Sequence, residues 1–257
     1  MEEVIELCSV VMEEVLSLYR QPENWQVEQK ADGSPLTRAD LLANDLLVRG
    51  LKKISPEMPL ISEELPFPDI SSRRKFQKMW MIDPIDGTYG FVNKTGDFTI
   101  NIALIEENTP VLGVVGVPVT GEVYFASSGE GAYVRHRGHT RSLGAMVFSG
   151  DEPALHFVCS PKQKDSDQMA RYFGKFTDPK IQYRGGTIKF LMVARGDVHI
   201  YPNNRSINEW DTAAGQIIVE EAGGLVIQAN NHQRLKYNKP DLKNPPFIVY
   251  GDIKNMD

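Results

Sequence analysis

Cysteine is scarce in this chain. Only Cys8 and Cys159 occur in 257 residues, far apart and without a C-x-x-C partner, so neither a structural zinc site nor a disulfide framework is expected. A basic surplus is missing too. The 28 Lys and Arg face 34 Asp and Glu, for a net charge of -6, which argues against a nucleic-acid polymer as partner. It does not argue against a small phosphorylated substrate, because a local site can differ in sign from the whole. No apolar run reaches the roughly 20 residues that a membrane span requires. The N-terminus opens on Glu2 and Glu3 rather than on a basic signal-peptide stretch. A cytoplasmic protein without membrane association is therefore expected. With 41% hydrophobic and 24% charged residues, the composition suits one large globular domain or two modest ones.

Helical spacing from Val4 to Tyr19 predicts a long amphipathic helix, with Pro22 just beyond it. A strand is expected over 25–30, a turn over 31–35, and a second helix capped by Thr37 with its end region near Gly50 and Pro56. A short strand at Leu60-Ile61 precedes a polar, proline-rich loop over 65–75, and the apolar run 79–82 is cut off by Pro84. Strands over 98–106 and 110–119 form a hairpin through 107–109, followed by strands at 123–126 and 132–134. The second half alternates, with strands at 156–159, near Gln182, and at 198–201, 225–227 and 247–250, and helices over 166–173, 187–194 and 210–222. The pattern is an α+β N-terminal part, 1–145, followed by an α/β C-terminal part, 146–257, with an active site expected at their interface.

Three acidic motifs end apolar elements: Ser62-Glu63-Glu64, Asp83-Pro84-Ile85-Asp86-Gly87-Thr88 and Trp210-Asp211-Thr212-Ala213-Ala214-Gly215. Each taken alone has an ordinary structural explanation. Asp-Gly-Thr is a common turn, Ser62-Glu63-Glu64 suits a cap or loop, Asp211 suits an N-cap, and Thr37 with Asp40 resembles a capping box. Taken together, they put carboxylates where a solvated surface charge has no reason to sit. Two unit charges about 4 Å apart repel by roughly 4 kcal/mol at an effective dielectric near 20, so convergence demands cations or protonation. The five histidines, His136, His139, His156, His199 and His232, all lie outside these motifs, and an oxygen-only set favours Mg2+ over zinc.

The stretch Trp80 to Thr88, with Trp210 to Gly215 and the preceding Ser62-Glu63-Glu64, resembles the inositol monophosphatase superfamily of Mg2+-dependent, lithium-sensitive phosphomonoesterases. The resemblance runs from Lys30-Ala31-Asp32-Gly33-Ser34-Pro35 to Glu221-Ala222-Gly223-Gly224. It implies a layered αβαβα sandwich with two or three Mg2+ per active site. By that likeness Glu63, Asp83 and the Ile85 carbonyl match the ligands of a first metal, and Asp83, Asp86 and Asp211 those of a second. Asp40 and Thr88 match the pair that orients the attacking water. For the substrate, the Gly87 and Thr88 amides offer a phosphate seat beside Asp211, Lys189 is by the likeness the candidate for a second phosphate with Thr187 adding a hydroxyl donor, and Arg205 stands in reserve for an arginine expected two residues earlier.

Within the superfamily, Gly96 to Ile105, Val111 to Val115 and Ile188-Lys189-Phe190 are most similar to the CysQ-type 3'(2'),5'-bisphosphate nucleotidases. Three departures bear on the nucleotide. Tyr89-Gly90 replaces Lys-Glu, Ser160-Pro161-Lys162-Gln163 lacks the histidine of Ser-x-Ser-His, and Asn203 replaces an arginine. The resemblance implies hydrolysis of 3'-phosphoadenosine 5'-phosphate to AMP and phosphate, a step of sulfur metabolism, by a monomer or homodimer. The alternatives are a phosphatase for inositol monophosphate or another sugar phosphate, and a non-catalytic metal- or phosphate-binding regulator.

Overall fold

The computed structural model describes residues 1–30, 33 and 35–255. The turn expected over 31–35 therefore falls largely outside the described residues. The first helix, α1 (Glu2–Tyr19), buries Val4, Ile5, Cys8, Val11, Met12 and Val15, spaced three or four apart on one face. α2 (Arg38–Ile54) opens on the expected capping box: Thr37 Oγ1 accepts from the Ala39 amide at 3.1 Å, and Asp40 Oδ2 from the Thr37 amide at 2.7 Å. It passes through Gly50 and ends at Ile54, with Ser55 as its C-cap.

Seven strands form one sheet in sequence order: β1 (Leu60–Ser62), β2 (Lys78–Asp86), β3 (Thr99–Glu106), β4 (Thr109–Val117), β5 (Glu122–Ser127), β6 (Ala132–His136) and β7 (His139–Ser142). β1 and β2 run parallel and all later neighbours antiparallel. The β3–β4 loop is tighter than expected. Glu107 and Asn108 both take positive φ, 48° and 61°, and Thr109 already pairs with Glu106, as in a two-residue hairpin. The loop expected over 65–75 contains a turn of helix, α3 (Ile70–Arg73), capped by the Asp69 side chain. A second short helix, α4 (Thr88–Val92), follows β2.

The second half supplies β8 (His156–Cys159), α5 (Asp167–Phe173), β9 (Lys180–Tyr183), α6 (Ile188–Ala194), β10 (Ile200–Asn203), α7 (Ala213–Glu221), β11 (Leu225–Gln228) and β12 (Phe247–Tyr250). Its five-stranded sheet has the order β9-β8-β10-β12-β11. The helix expected from Trp210 begins at Ala213 with Thr212 as N-cap, so Trp210 and Asp211 precede it.

Strand alternation sorts the layers. Trp80, Ile82, Ile100 and Ile102 pack with α1 and α2, while Met79, Met81, Ala103 and Ile105 face the opposite way, into the core that holds α6 and α7. Val158 and Val249 enter that same core from the five-stranded sheet, whereas Phe157 and Cys159 turn outward onto Met169 and Phe173 of α5. The order is helix, sheet, helix, sheet, helix, an α/β sandwich. The apolar core between the sheets is continuous across residue 145, joining Met79 and Val115 to Phe190, Ile217 and Val249. Among the described residues, no helix is long and apolar enough to cross a membrane.

Candidate active site

The site begins with the register of two parallel strands. Ser62 lies beside Ile82, and the Glu63 amide donates to the Ile82 carbonyl at 3.3 Å, which brings Glu63 next to Asp83. β2 does not stop at Pro84. It runs to Asp86 through an irregularity in which Asp83 faces Asn101 but Asp86 faces Thr99. Three steps on one strand thus match two on the other, and a proline is tolerated where the ladder is broken. Asp83 is buried in this bulge, and its Oδ1 accepts from the Ile85 amide at 3.1 Å. Asp211 comes in from the other half, with Oδ2 accepting from the Asn208 amide at 3.1 Å.

One carboxylate oxygen from each of Glu63, Asp83 and Asp211 lies within 4.8 Å of the other two. Burial, and after it the charges of Glu63, Asp86 and Asp211, push the Asp83 carboxyl well above the ordinary range. Burial and the charges of Asp86 and Glu63 do the same to Asp211. Burial also raises Asp86, against the pull of Lys189 and the Thr187 hydroxyl. Carboxylates forced together in this way gain most from a shared cation. The group holds only carboxylate oxygens, without His or Cys, which suits a hard divalent ion.

Thr88 Oγ1 lies 3.2 Å from Asp40 Oδ1 and 3.2 Å from the Ile85 carbonyl. The other oxygen of Asp40 caps α2, taking the Thr37 amide at 2.7 Å and the Thr37 hydroxyl at 2.6 Å. The capping reading and the pairing with Thr88 are therefore both realised, each on its own oxygen. Burial raises the Asp40 carboxyl, outweighing the donors of Thr37 and the charge of Lys30. Gly87 turns the chain into α4 with φ of +89°, and a Cβ there would meet the Asp97 carbonyl at 2.6 Å, so the turn requires glycine.

The residues assigned to substrate are spread over different settings. Thr187 is fully buried, with its hydroxyl 2.6 Å from Asp86 Oδ2, so it stands behind that carboxylate. The glycines before it bring the start of α6 against β2 and the loop that follows α4. Gly186, at φ of +54°, has Asp86 Oδ2 3.3 Å from where its Cβ would be. Lys189 is 6% exposed and is not a solvated helix lysine. Its ammonium donates to the Gly186 carbonyl at 2.5 Å and lies 5.2 Å from the Tyr201 ring centre. Burial lowers its pKa, against the opposing charges of Asp86 and Asp211. Arg205 is exposed, and its carbonyl accepts from Asn203 at 2.7 Å. Gln163 is buried, taking the Ser160 amide at 3.0 Å and donating to Asn204 at 2.7 Å.

Two features were not anticipated from the sequence. Lys30 Nζ bridges Glu63 at 2.5 Å and Glu64 at 2.6 Å. Burial alone would lower its pKa, but the two glutamates outweigh burial and hold the ammonium above its usual range. Asp97 binds the Gly185 amide at 2.9 Å and Arg184 at 3.1 Å, which fastens the α4–β3 loop to the second half. Only the charge of Lys30 beside the Glu63-Glu64 pair could have signalled the first contact; nothing local signals the second.

Comparison with known proteins follows the same lines. The model of the inositol monophosphatase family matches residues 1–249. The chain is 34% identical over 226 residues to the 3'(2'),5'-bisphosphate nucleotidase CysQ of Salmonella typhimurium, covering 88% of this chain and 89% of that relative. Among solved structures, CysQ of Bacteroides thetaiotaomicron superposes with a TM-score of 0.81 at 33% identity, over 98% of this chain and 96% of that one. An IMPase of Thermotoga maritima does so with a TM-score of 0.79 at 27% identity, over 98% and 93%.

Proposed function

Because the chain belongs to the inositol monophosphatase family, we propose that this phosphatase hydrolyses 3'-phosphoadenosine 5'-phosphate to AMP and phosphate in a Mg2+-dependent reaction. The observation that carries the reading is the meeting of Glu63, Asp83 and Asp211 within 4.8 Å, beside the Thr88–Asp40 hydrogen bond. A solvated surface has no use for such a cluster. Relatives of this chain carry the name 3'(2'),5'-bisphosphate nucleotidase, which supports the same substrate class for it.

Glu63, Asp83 and the Ile85 carbonyl would hold one Mg2+, and Asp83, Asp86 and Asp211 another. Bound there, the ions supply charge neutralisation and Lewis acidity for in-line phosphoryl transfer to water. The chain's own residues do the rest. The Thr88 hydroxyl donates a hydrogen bond to Asp40, which leaves the lone pairs of Thr88 Oγ1 free to accept a hydrogen bond from the attacking water and so to aim that water at phosphorus. Asp40 can hold this role because its second oxygen is fixed by Thr37. The Gly87 and Thr88 amides, at the start of α4, lie where no intrahelical partner is available and can take phosphate oxygens.

A bisphosphate carries a second anion away from the scissile one. Lys189 is the residue we assign to it, with Thr187 supporting Asp86 beside it and Arg205 at the exposed rim. Among the described residues the Lys189 ammonium makes one hydrogen bond, to Gly186, which leaves donors for an anion. A charge-assisted contact of roughly 1.5–3 kcal/mol corresponds to about a tenfold to hundredfold change in kcat/KM. Lys189→Ala is expected to lower kcat/KM for 3'-phosphoadenosine 5'-phosphate by that factor and to spare inositol 1-phosphate. Phosphate release measured on both substrates, with and without chelator, tests the reading. Preference of the wild-type enzyme for inositol 1-phosphate would replace the nucleotide by a sugar phosphate.

A further inference from the structure

Two buried charges near the site touch none of the clustered carboxylates, yet both grip the same short segment. Arg73 of α3 is 3% exposed and Glu209 is fully buried. From one side, Arg73 donates to the Asn238 side chain at 3.0 Å, to the Lys239 carbonyl at 3.0 Å and to the Pro240 carbonyl at 2.9 Å. From the other side, Glu209 accepts the Asn238 amide at 2.6 Å, the Lys239 amide at 3.0 Å and the Lys239 ammonium at 2.5 Å. The guanidinium also donates from Nε to the Pro68 carbonyl at 3.1 Å, and the Asn238 side-chain amide donates back to the Arg73 carbonyl at 2.8 Å.

These contacts join the two chain segments that carry outlying carboxylates of the site. Pro68 lies in the loop that leaves Glu63 and Glu64, and Glu209 lies two residues before Asp211. Phe67 packs against Trp210 across the same junction, with ring centres 5.1 Å apart. Asn244 continues the connection, taking Lys239 at 2.7 Å and donating to Thr212, the N-cap of α7, at 2.7 Å. Like charges at Glu63, Asp83 and Asp211 push the start of α7 outward, and a short loop bonded only to water would yield to that push. Arg73's planar fork spans several acceptors at once, which a point charge cannot do.

We infer that the Arg73–Asn238–Glu209 strap is a positioning device that holds Asp211 close to Glu63 and so sets the affinity for Mg2+. It rests on the reading of Asp211 as a metal ligand given above. The test is Mg2+ binding by calorimetry on the intact protein, alongside melting temperature in chelator and a Mg2+ titration of activity. Arg73→Met is expected to weaken Mg2+ binding at least tenfold, with kcat recovering to within about threefold of wild type at high Mg2+. Arg73→Lys should restore the affinity only in part. If Arg73→Met does not fold, Glu209→Gln serves, since the amide keeps an acceptor for the segment but loses the Lys239 ion pair; a threefold or larger loss of affinity is expected. Variants that melt lower but bind Mg2+ as wild type does would overturn the strap and reduce these residues to scaffolding. A wild-type protein without saturable Mg2+ binding would overturn the metal reading itself.

Discussion

Asp83→Asn isolates the electrostatic cost of the site. At the 4.8 Å that bounds the cluster, a pair of unit charges repels by ~3.5 kcal/mol at an effective dielectric near 20. Asp83 has two such neighbours in the group, Glu63 and Asp211, but the Lys30 ammonium on Glu63 offsets part of the first. After that offset, removal of the Asp83 charge should stabilise the metal-free protein by about 2–4 kcal/mol, or roughly 4–8 °C in Tm for a chain of this size. Asparagine keeps the oxygen that accepts from Ile85, so the bulge itself survives. The sign follows from linkage. The folded-state pKa of Asp83 is raised, so the folded protein holds more protons than the unfolded chain, and stability is lost as pH rises from the ordinary Asp value of 3.8 through the raised one. The advantage of the variant should therefore be largest near pH 8 in chelator and shrink on acidification. Saturating Mg2+ should reverse the order, because only the wild type gains the full binding energy of the ions. Differential scanning fluorimetry at several pH values, with chelator or Mg2+, makes the comparison. An Asp83→Asn protein that melts at or below wild type in chelator at pH 8 refutes the picture of a self-repelling cluster.

Thr88→Ala should lower kcat by roughly 10²–10⁴-fold, the usual worth of a positioned proton acceptor, while the midpoint of the Mg2+ titration stays put; a midpoint moved as far as by Asp211→Asn would place Thr88 among the metal ligands. Asp40→Asn should cost about 1 kcal/mol of stability through the weakened cap and also reduce kcat. A stability loss with kcat untouched would leave Asp40 a capping residue only. Lithium should inhibit at limiting Mg2+, since a small monovalent ion can enter the oxygen-rich site but stabilises a leaving oxygen poorly, and full activity at high lithium would exclude the second metal position.

Much of this molecule is legible along the chain because its signals are local. The capping box at Thr37 and Asp40, the apolar stretches of β3 to β6 and the turn residues between them act within a few positions, and these strands form within a residue or two of where the pattern puts them. The errors fall where tertiary pairing overrides a local signal. Pro84 reads as a strand end, but a bulge against β3 carries β2 through to Asp86. Elsewhere the chain alone leaves a placement open: Lys189 is assigned to substrate from its motif, and only the packing of α6 between the sheets shows that it is enclosed.

The site divides in the same way. The acidic motifs single out Glu63, Asp83, Asp86 and Asp211 as candidates, because each motif keeps its residue types in a short, unbroken stretch. Which of them meet, and what holds them there, depends on separations of many tens of residues. The parallel register of β1 with β2 brings Glu63 to Asp83, and the docking of α7 brings Asp211. Lys30 reaches Glu63 and Glu64 across 33 and 34 positions, and Arg73 reaches the segment held by Glu209 across 165 to 167. Sequence alone determined the chemistry of the donors, since that is a property of each residue. Tertiary structure alone decided their distances, counter-charges and burial, since repulsion and desolvation exist only once the chain has brought these groups together.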